Sequence, residues 1–97
     1  MDKSRQYANE NTQTYLDQLK DLLRIPSIST DPAYKDEVKR AGQWVVDDMK
    51  RIGLSAQLIT TNRHPLAYGE WLGAGDDAPT ILFYGHYDVQ PASLEDG

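Results

Sequence analysis

The sequence lacks cysteine and has no long apolar run. Without cysteine no disulfide framework can form, and any bound metal must be held by His, Asp or Glu. No apolar stretch approaches the roughly 20 residues that span a bilayer, and the polar start "MDKSRQYANE" has no signal-peptide core. We therefore expect a cytoplasmic protein without a membrane partner.

The sequence also has no excess of basic residues. Ten Lys and Arg residues are scattered among fifteen Asp and Glu residues, which gives a formal net charge of −5. Proteins that bind nucleic acids normally carry a basic patch that neutralises phosphates. Nucleic acid is therefore not an expected partner.

The remaining composition is that of a globular protein, and 97 residues are enough for one small domain or for a piece of a larger one. In "NTQTYLDQLKDLLRI", Leu16, Leu19 and Leu23 recur at helical spacing and predict a helix that ends before Pro26. We expect this leucine stripe to be buried against a sheet.

A second helix is predicted from about Asp36 to Ile52. Its apolar positions recur every three or four residues: Val38, Ala41, Val45, Met49 and Ile52. Gly53 stands where a left-handed residue would end the helix.

Three strand candidates follow the second helix. "LSAQLITT" alternates apolar and polar residues, as in a strand with one buried side, and "PLAYGEWLG" is the next candidate. "GAGDDAPT" supplies a turn, and its Gly-x-Gly lacks the third glycine and the following helix of a dinucleotide-binding loop. "TILFYG" is continuously apolar up to Gly85, which predicts a strand inside a sheet and covered on both faces.

This order predicts an α/β fold class, with two N-terminal helices followed by strands of a mixed sheet. An interior strand needs neighbours on both sides and layers on both faces. Two helices and two other strands supply only part of that cover, so residues 1–97 are expected to be the opening portion of a larger domain.

His86 and Asp88 follow the last strand candidate. Residues two apart on an extended chain point to the same side, so these two side chains can approach one ligand or each other. Histidine is a metal ligand, and a carboxylate on its second ring nitrogen fixes the tautomer. The alternative is a simple strand-end turn in which both side chains bond to backbone. His64, next to Pro65, is interpreted as a surface loop residue.

The stretches "LLRIPSIS", "GEWLG" and "PTILFYGHYDVQP" occur in the order and spacing of a known family. The chain resembles the N-terminal part of the carnosinase-like metallodipeptidases, relatives of aminoacylase, acetylornithine deacetylase and carboxypeptidase G. Tyr87 and Gln90 favour the dipeptidase branch. The resemblance implies that His86 is a ligand to one of two zinc ions and that Asp88 is the carboxylate that orients it. It also implies short peptides as substrates and a homodimeric parent protein.

The same resemblance implies that the chain is incomplete. The family's other metal ligands, its general base and its lid domain would all lie beyond Gly97, so the 97 residues alone are expected to be inactive and prone to association. The acidic pairs Asp76–Asp77 and Glu95–Asp96 do not replace those ligands. Two alternatives stay open: a non-catalytic α/β module from a truncated homologue, and an N-acyl-amino-acid deacylase of the same group.

Overall fold

The computed structural model describes residues 2–92. Two helices, α1 (Asp2–Glu10) and α2 (Thr12–Leu23), are followed by a short 3₁₀ helix (Pro32–Tyr34), a long helix α3 (Lys35–Arg51) and two strands, β1 (Ser55–Ile59) and β2 (Leu66–Glu70). The predicted α/β class is confirmed. Helix α1 was not predicted, because its sequence is polar and carries no apolar stripe.

Helix α3 is the centre of the fold. Its buried positions are Val38, Ala41, Gly42 and Val46. The predicted stripe is confirmed at its first two positions, whereas Val45 and Met49 are half-buried and Ile52 is exposed. The helix ends as predicted, because Gly53 has a φ of 103°, a conformation that is strained for residues with a Cβ.

Strands β1 and β2 form an antiparallel hairpin, with Ala56 opposite Gly69 and Leu58 opposite Ala67. These four positions are half-buried on the side that packs against α3, and their neighbours in sequence are mostly exposed. A Cβ at Gly42 would lie 3.0 Å from Leu58 Cδ1, so the glycine lets helix and strand approach closely. The prediction of two strands with one buried side is confirmed.

The leucine stripe of α2 is not buried against the sheet, which corrects the expectation from sequence. Leu16, Leu19 and Leu23 are all exposed. The reason is that α3 already occupies the inner face of the hairpin, while α2 lies beside α1, where the rings of Tyr7 and Tyr15 are 6.5 Å apart.

The prediction of a buried third strand over "TILFYG" is wrong for the described chain. Residues 80–85 belong to neither strand of the sheet, and the side chains of residues 81–84 are 75–94% exposed. Within residues 2–92 the sheet has only two strands, so no neighbouring strands or covering layers are available for this apolar segment. Gly85 itself has no positive φ, and an added Cβ there would meet no atom within 4 Å.

The turn predicted before this segment is present. Gly75 has a φ of 100°, and Ala78 N donates to Gly75 O at 3.2 Å. It does not connect two strands, since no strand follows it as far as residue 92. Among the described helices none is long and apolar enough to cross a membrane.

Candidate metal-ligand site

His86 and Asp88 are hydrogen-bonded to each other. His86 Nδ1 lies 2.8 Å from Asp88 Oδ1, with the His86 side chain 79% exposed and the Asp88 side chain 35% exposed. An ionised carboxylate only accepts hydrogen bonds, so Nδ1 carries the proton and Nε2 is the acceptor of the neutral ring. The pair therefore has the contact expected from its spacing, although it follows an extended segment rather than a sheet strand.

The carboxylate of Asp88 is also held by Ser29. Ser29 Oγ donates to Asp88 Oδ2 at 2.5 Å, so each carboxylate oxygen has its own donor. The Ser29 hydrogen bond is the main cause that lowers the pKa of Asp88 below its ordinary value of 3.8, partial burial opposes it, and the bond from His86 adds to the lowering. Asp88 is thus ionised throughout the neutral range.

Backbone contacts join the same two segments. Val89 N donates to Ser27 O at 3.0 Å, and Ile28 and Val89 form a parallel bridge. Ser27 is buried, and its Oγ donates to Tyr87 O at 3.2 Å. The "IPSIS" loop after α2 therefore holds residues 87–89 through both backbone and hydroxyl groups.

The loop between β1 and β2 supports the site from another side. Thr61 Oγ1 donates to His64 O at 2.6 Å, and the His64 ring Nε2 donates to Ser29 O at 2.8 Å. The interpretation of His64 as a surface residue is therefore wrong, because its ring is half-buried and bonded to the loop that carries Ser29.

Tyr87 connects this loop to the core. Its hydroxyl donates to Pro65 O at 2.6 Å, and an added Cβ at Gly42 would lie 3.1 Å from its ring. Burial raises the pKa of Tyr87, and the nearby charge of Asp88 raises it further. The residue between His86 and Asp88 is thus fixed by packing against α3.

These segments enclose an open cleft of about 510 Å³. Its walls come from α3, the hairpin, the "IPSIS" loop and the extended segment: Val38, Ile59, His64, Leu66, Ala67, Tyr68, Ser29, Phe83, Tyr84, Gly85, His86, Tyr87 and Asp88.

Sequence reasoning found His86 and Asp88 but missed Ser29 and His64. The quoted motif "LLRIPSIS" contained the signal for Ser29, whereas nothing in the sequence marked His64.

The described residues fit one ligand of a metal site rather than a whole one. A protonated Nδ1 leaves Nε2 of His86 free to bind a metal, which is the usual arrangement of a ligating histidine. No group of three or more potential ligands occurs within residues 2–92. Asp76 and Asp77 lie in an exposed turn, and Glu95 and Asp96 fall outside the described residues. Metal binding at His86 stays a prediction.

No protein-family model matches the chain. Among curated proteins it is 28% identical over 107 aligned positions to the Cys-Gly metallodipeptidase dug1 of Schizosaccharomyces pombe, covering 100% of this chain and 22% of that protein. It is 27% identical to the Beta-Ala-His dipeptidase of Rattus norvegicus, with the same coverage. The chain thus spans about a fifth of the length of these relatives.

A solved structure of the dipeptidase Dug1p from Saccharomyces cerevisiae has the same fold in its N-terminal part. The TM-score is 0.75 at 24% identity, and the match covers 95% of this chain and 22% of that one. The resemblance inferred from the sequence motifs is confirmed by these comparisons.

Proposed function

We propose that this chain, a segment of a dipeptidase-like protein, contributes one metal ligand and the carboxylate that orients it to a hydrolase of short peptides. The observation that carries the proposal is the bond between His86 Nδ1 and Asp88 Oδ1 at 2.8 Å. It lies within the part of the chain that is similar to dipeptidases, and it leaves Nε2 of the neutral histidine ring without a proton and able to bind a metal.

In the proposed enzyme His86 would supply Nε2 as one of several protein ligands, and Asp88 would keep the proton on Nδ1. A two-metal centre, here proposed to hold zinc, would lower the pKa of a bound water and polarise the substrate carbonyl. The work of this segment is therefore to present one imidazole in a fixed tautomer and orientation. Other divalent metals can use the same ligand.

Peptides are favoured over N-acyl amino acids as substrates, because both curated relatives named above are dipeptidases. That choice, the homodimeric state of the parent protein and its cytoplasmic location are parts of the proposal.

The 97-residue chain by itself is proposed to be inactive. One histidine and its orienting aspartate cannot hold two metals, and residues 2–92 bring no third potential ligand to them. The purified chain should therefore hydrolyse no dipeptide when zinc is added. Turnover that a chelator abolishes would contradict this part of the proposal.

The coding sequence downstream of Gly97 separates the proposed enzyme from a non-catalytic module. A reading frame that continues into further His, Asp and Glu ligands supports the enzyme. A stop codon directly after Gly97 supports a module that keeps the α/β layer for binding or assembly.

The test of the site uses the protein that carries this segment together with the downstream ligands. His86→Ala should remove one bound metal and abolish turnover. Asp88→Asn should keep a metal bound but weaken its affinity or the activity by about 10–100-fold. Metal analysis and dipeptide hydrolysis measure both effects.

Asp76→Asn is the matched control for Asp88→Asn, because it removes a carboxylate charge from the exposed turn, outside the cleft. It should leave the metal content unchanged. If His86→Ala kept both metals and normal turnover, the pair would be a turn and the proposed function of the site would be wrong.

A further inference from the structure

The Asp88 carboxylate receives one donor on each oxygen. Ser29 Oγ donates to Oδ2 at 2.5 Å, across 59 positions of sequence, and His86 Nδ1 donates to Oδ1 at 2.8 Å. Two donors on different oxygens define the plane of the carboxylate as well as its position. The hydroxyl therefore acts on the same group that contacts the imidazole.

Without the hydroxyl this plane would be poorly defined. The terminal torsion of an aspartate is broad, so the carboxylate can rotate when nothing holds one of its oxygens. About a third of the Asp88 side chain is exposed, so water can take over the contacts. The bond to His86, two residues away on an extended segment, would then weaken.

Ser29 is itself held in place by contacts that do not involve the Asp88 side chain. Its carbonyl accepts the His64 Nε2 proton at 2.8 Å, and the preceding residue, Ile28, forms the parallel bridge with Val89. The hydroxyl is thus carried by a loop that is fixed from two sides. A hydroxyl on a fixed loop can orient the carboxylate that it contacts, whereas a hydroxyl on a mobile loop would move together with that carboxylate.

We propose that Ser29 is a positioning residue: its hydroxyl fixes the Asp88 carboxylate so that the other oxygen keeps the proton on His86 Nδ1 and leaves Nε2 free for a ligand. The use of Nε2 for a metal rests on the proposed function. The orienting effect itself belongs to the metal-free chain and can be measured there.

The experiment is long-range ¹H–¹⁵N NMR on the His86 ring in the 97-residue chain, at a pH where the ring is neutral. The nitrogen shifts report which of the two ring nitrogens carries the proton. Wild type should show Nδ1–H predominating, and Asp88→Ala supplies the reference for a released ring. In Ser29→Ala the ratio of Nδ1–H to Nε2–H should fall by about 3- to 10-fold, the equilibrium effect of one net hydrogen bond.

Two matched comparisons separate the hydroxyl from side-chain shape. Ser29→Thr keeps a hydroxyl and should keep the wild-type ratio of Nδ1–H to Nε2–H. Ser29→Val has the shape of threonine without the hydroxyl and should behave like Ser29→Ala. Thr30→Ala removes the exposed hydroxyl next to Ser29 and should change nothing. Amide spectra identify the variants that keep the fold, and the Thr and Val pair carries the test if Ser29→Ala unfolds.

Failure of this proposal is distinct from failure of the proposed function. An unchanged ring ratio in folded Ser29→Ala or Ser29→Val would overturn the role of Ser29 and leave His86 as a ligand candidate. A wild-type ring without Nδ1–H enrichment would overturn it as well. A lower ratio of Nδ1–H to Nε2–H in both hydroxyl-free variants, with the wild-type ratio in Ser29→Thr, supports the positioning role of Ser29 even if the parent protein binds no metal.

Discussion

Residues 80–85 and residues 86–89 are adjacent in sequence and differ sharply in structure. The first segment is apolar and exposed, with Leu82 at 88% and Tyr84 at 94%. The second is polar and is tied to the "IPSIS" loop by hydrogen bonds from Ser29 and Val89. The segment predicted to be a buried strand is therefore exposed to solvent, whereas the predicted ligand pair is fixed by hydrogen bonds to the loop.

The two segments differ because a hydrogen bond and a buried strand have different requirements. A hydrogen-bonded pair needs one partner at the correct distance, and the loop after α2 supplies it. An apolar strand needs neighbouring strands and a layer on each face, because its stabilisation is proportional to the area removed from water. Residues 2–92 supply the hydrogen-bond partner but not the neighbouring strands and covering layers.

The strongest test of this contrast compares a charge in the α3 core with a charge in the exposed segment. Val46 is buried against the hairpin, so Val46→Asp should lower the free energy of unfolding by roughly 3–5 kcal/mol, the cost of an unpaired buried charge. Leu82→Asp should change it by less than about 0.5 kcal/mol, as for a surface position. Urea unfolding followed by circular dichroism measures both. Equal destabilisation by the two variants would show that residues 80–85 are packed.

The exposed segment should also drive association of the 97-residue chain. Burying a Leu or Phe side chain contributes about 1.5–3 kcal/mol, so Phe83→Asp should raise the concentration needed for association by about tenfold or more. Gln57→Glu, on an exposed position of β1, controls for added negative charge. Sedimentation over a concentration series is the measurement. A wild-type chain that stays monomeric at all concentrations would contradict the expectation.

A smaller effect on the free energy of unfolding is expected at the hydroxyl that bonds residues 86–89 to the hairpin loop. Tyr87→Phe removes the hydrogen bond to Pro65 O and should cost about 1 kcal/mol of unfolding free energy. Tyr84→Phe removes the hydroxyl of an exposed side chain in the other segment and should cost nothing measurable. If both variants lost the same stability, the two segments would not differ as described.

The smallest expected effect depends on pH. The folded-state pKa of Asp88 is lowered, chiefly by the bond from Ser29, so the carboxylate stabilises the fold above its unfolded pKa, near 3.8. That contribution is lost as the pH falls through the folded value. The stability difference between wild type and Asp88→Asn should therefore be largest at neutral pH and shrink below about pH 4.

Asp76→Asn removes a carboxylate from the exposed turn, away from Ser29, and is the matched control in the same pH series. Urea unfolding at each pH gives the values. A difference between wild type and Asp88→Asn that grows as the pH falls would reverse the sign of the pKa shift.

The local elements could be predicted from the sequence alone. The periodic apolar positions of α3, the glycine at its end and the alternation in β1 all depend on contacts within a few residues or on one face of one element, so their patterns are readable without a partner. The same holds for His86 and Asp88, whose contact follows from a spacing of two on an extended chain.

Which apolar faces are covered, and which distant groups come into contact, depends on the tertiary structure. The α2 stripe and residues 81–84 have the composition of buried elements, yet both are exposed, and within residues 2–92 helix α3 covers the inner face of the hairpin. Ser29 and His64 join the site through contacts spanning 59 and 35 positions, and neither contact has a local pattern. Burial depends on the area that other elements offer and long-range bonds depend on loop positions, so both are properties of the assembled chain.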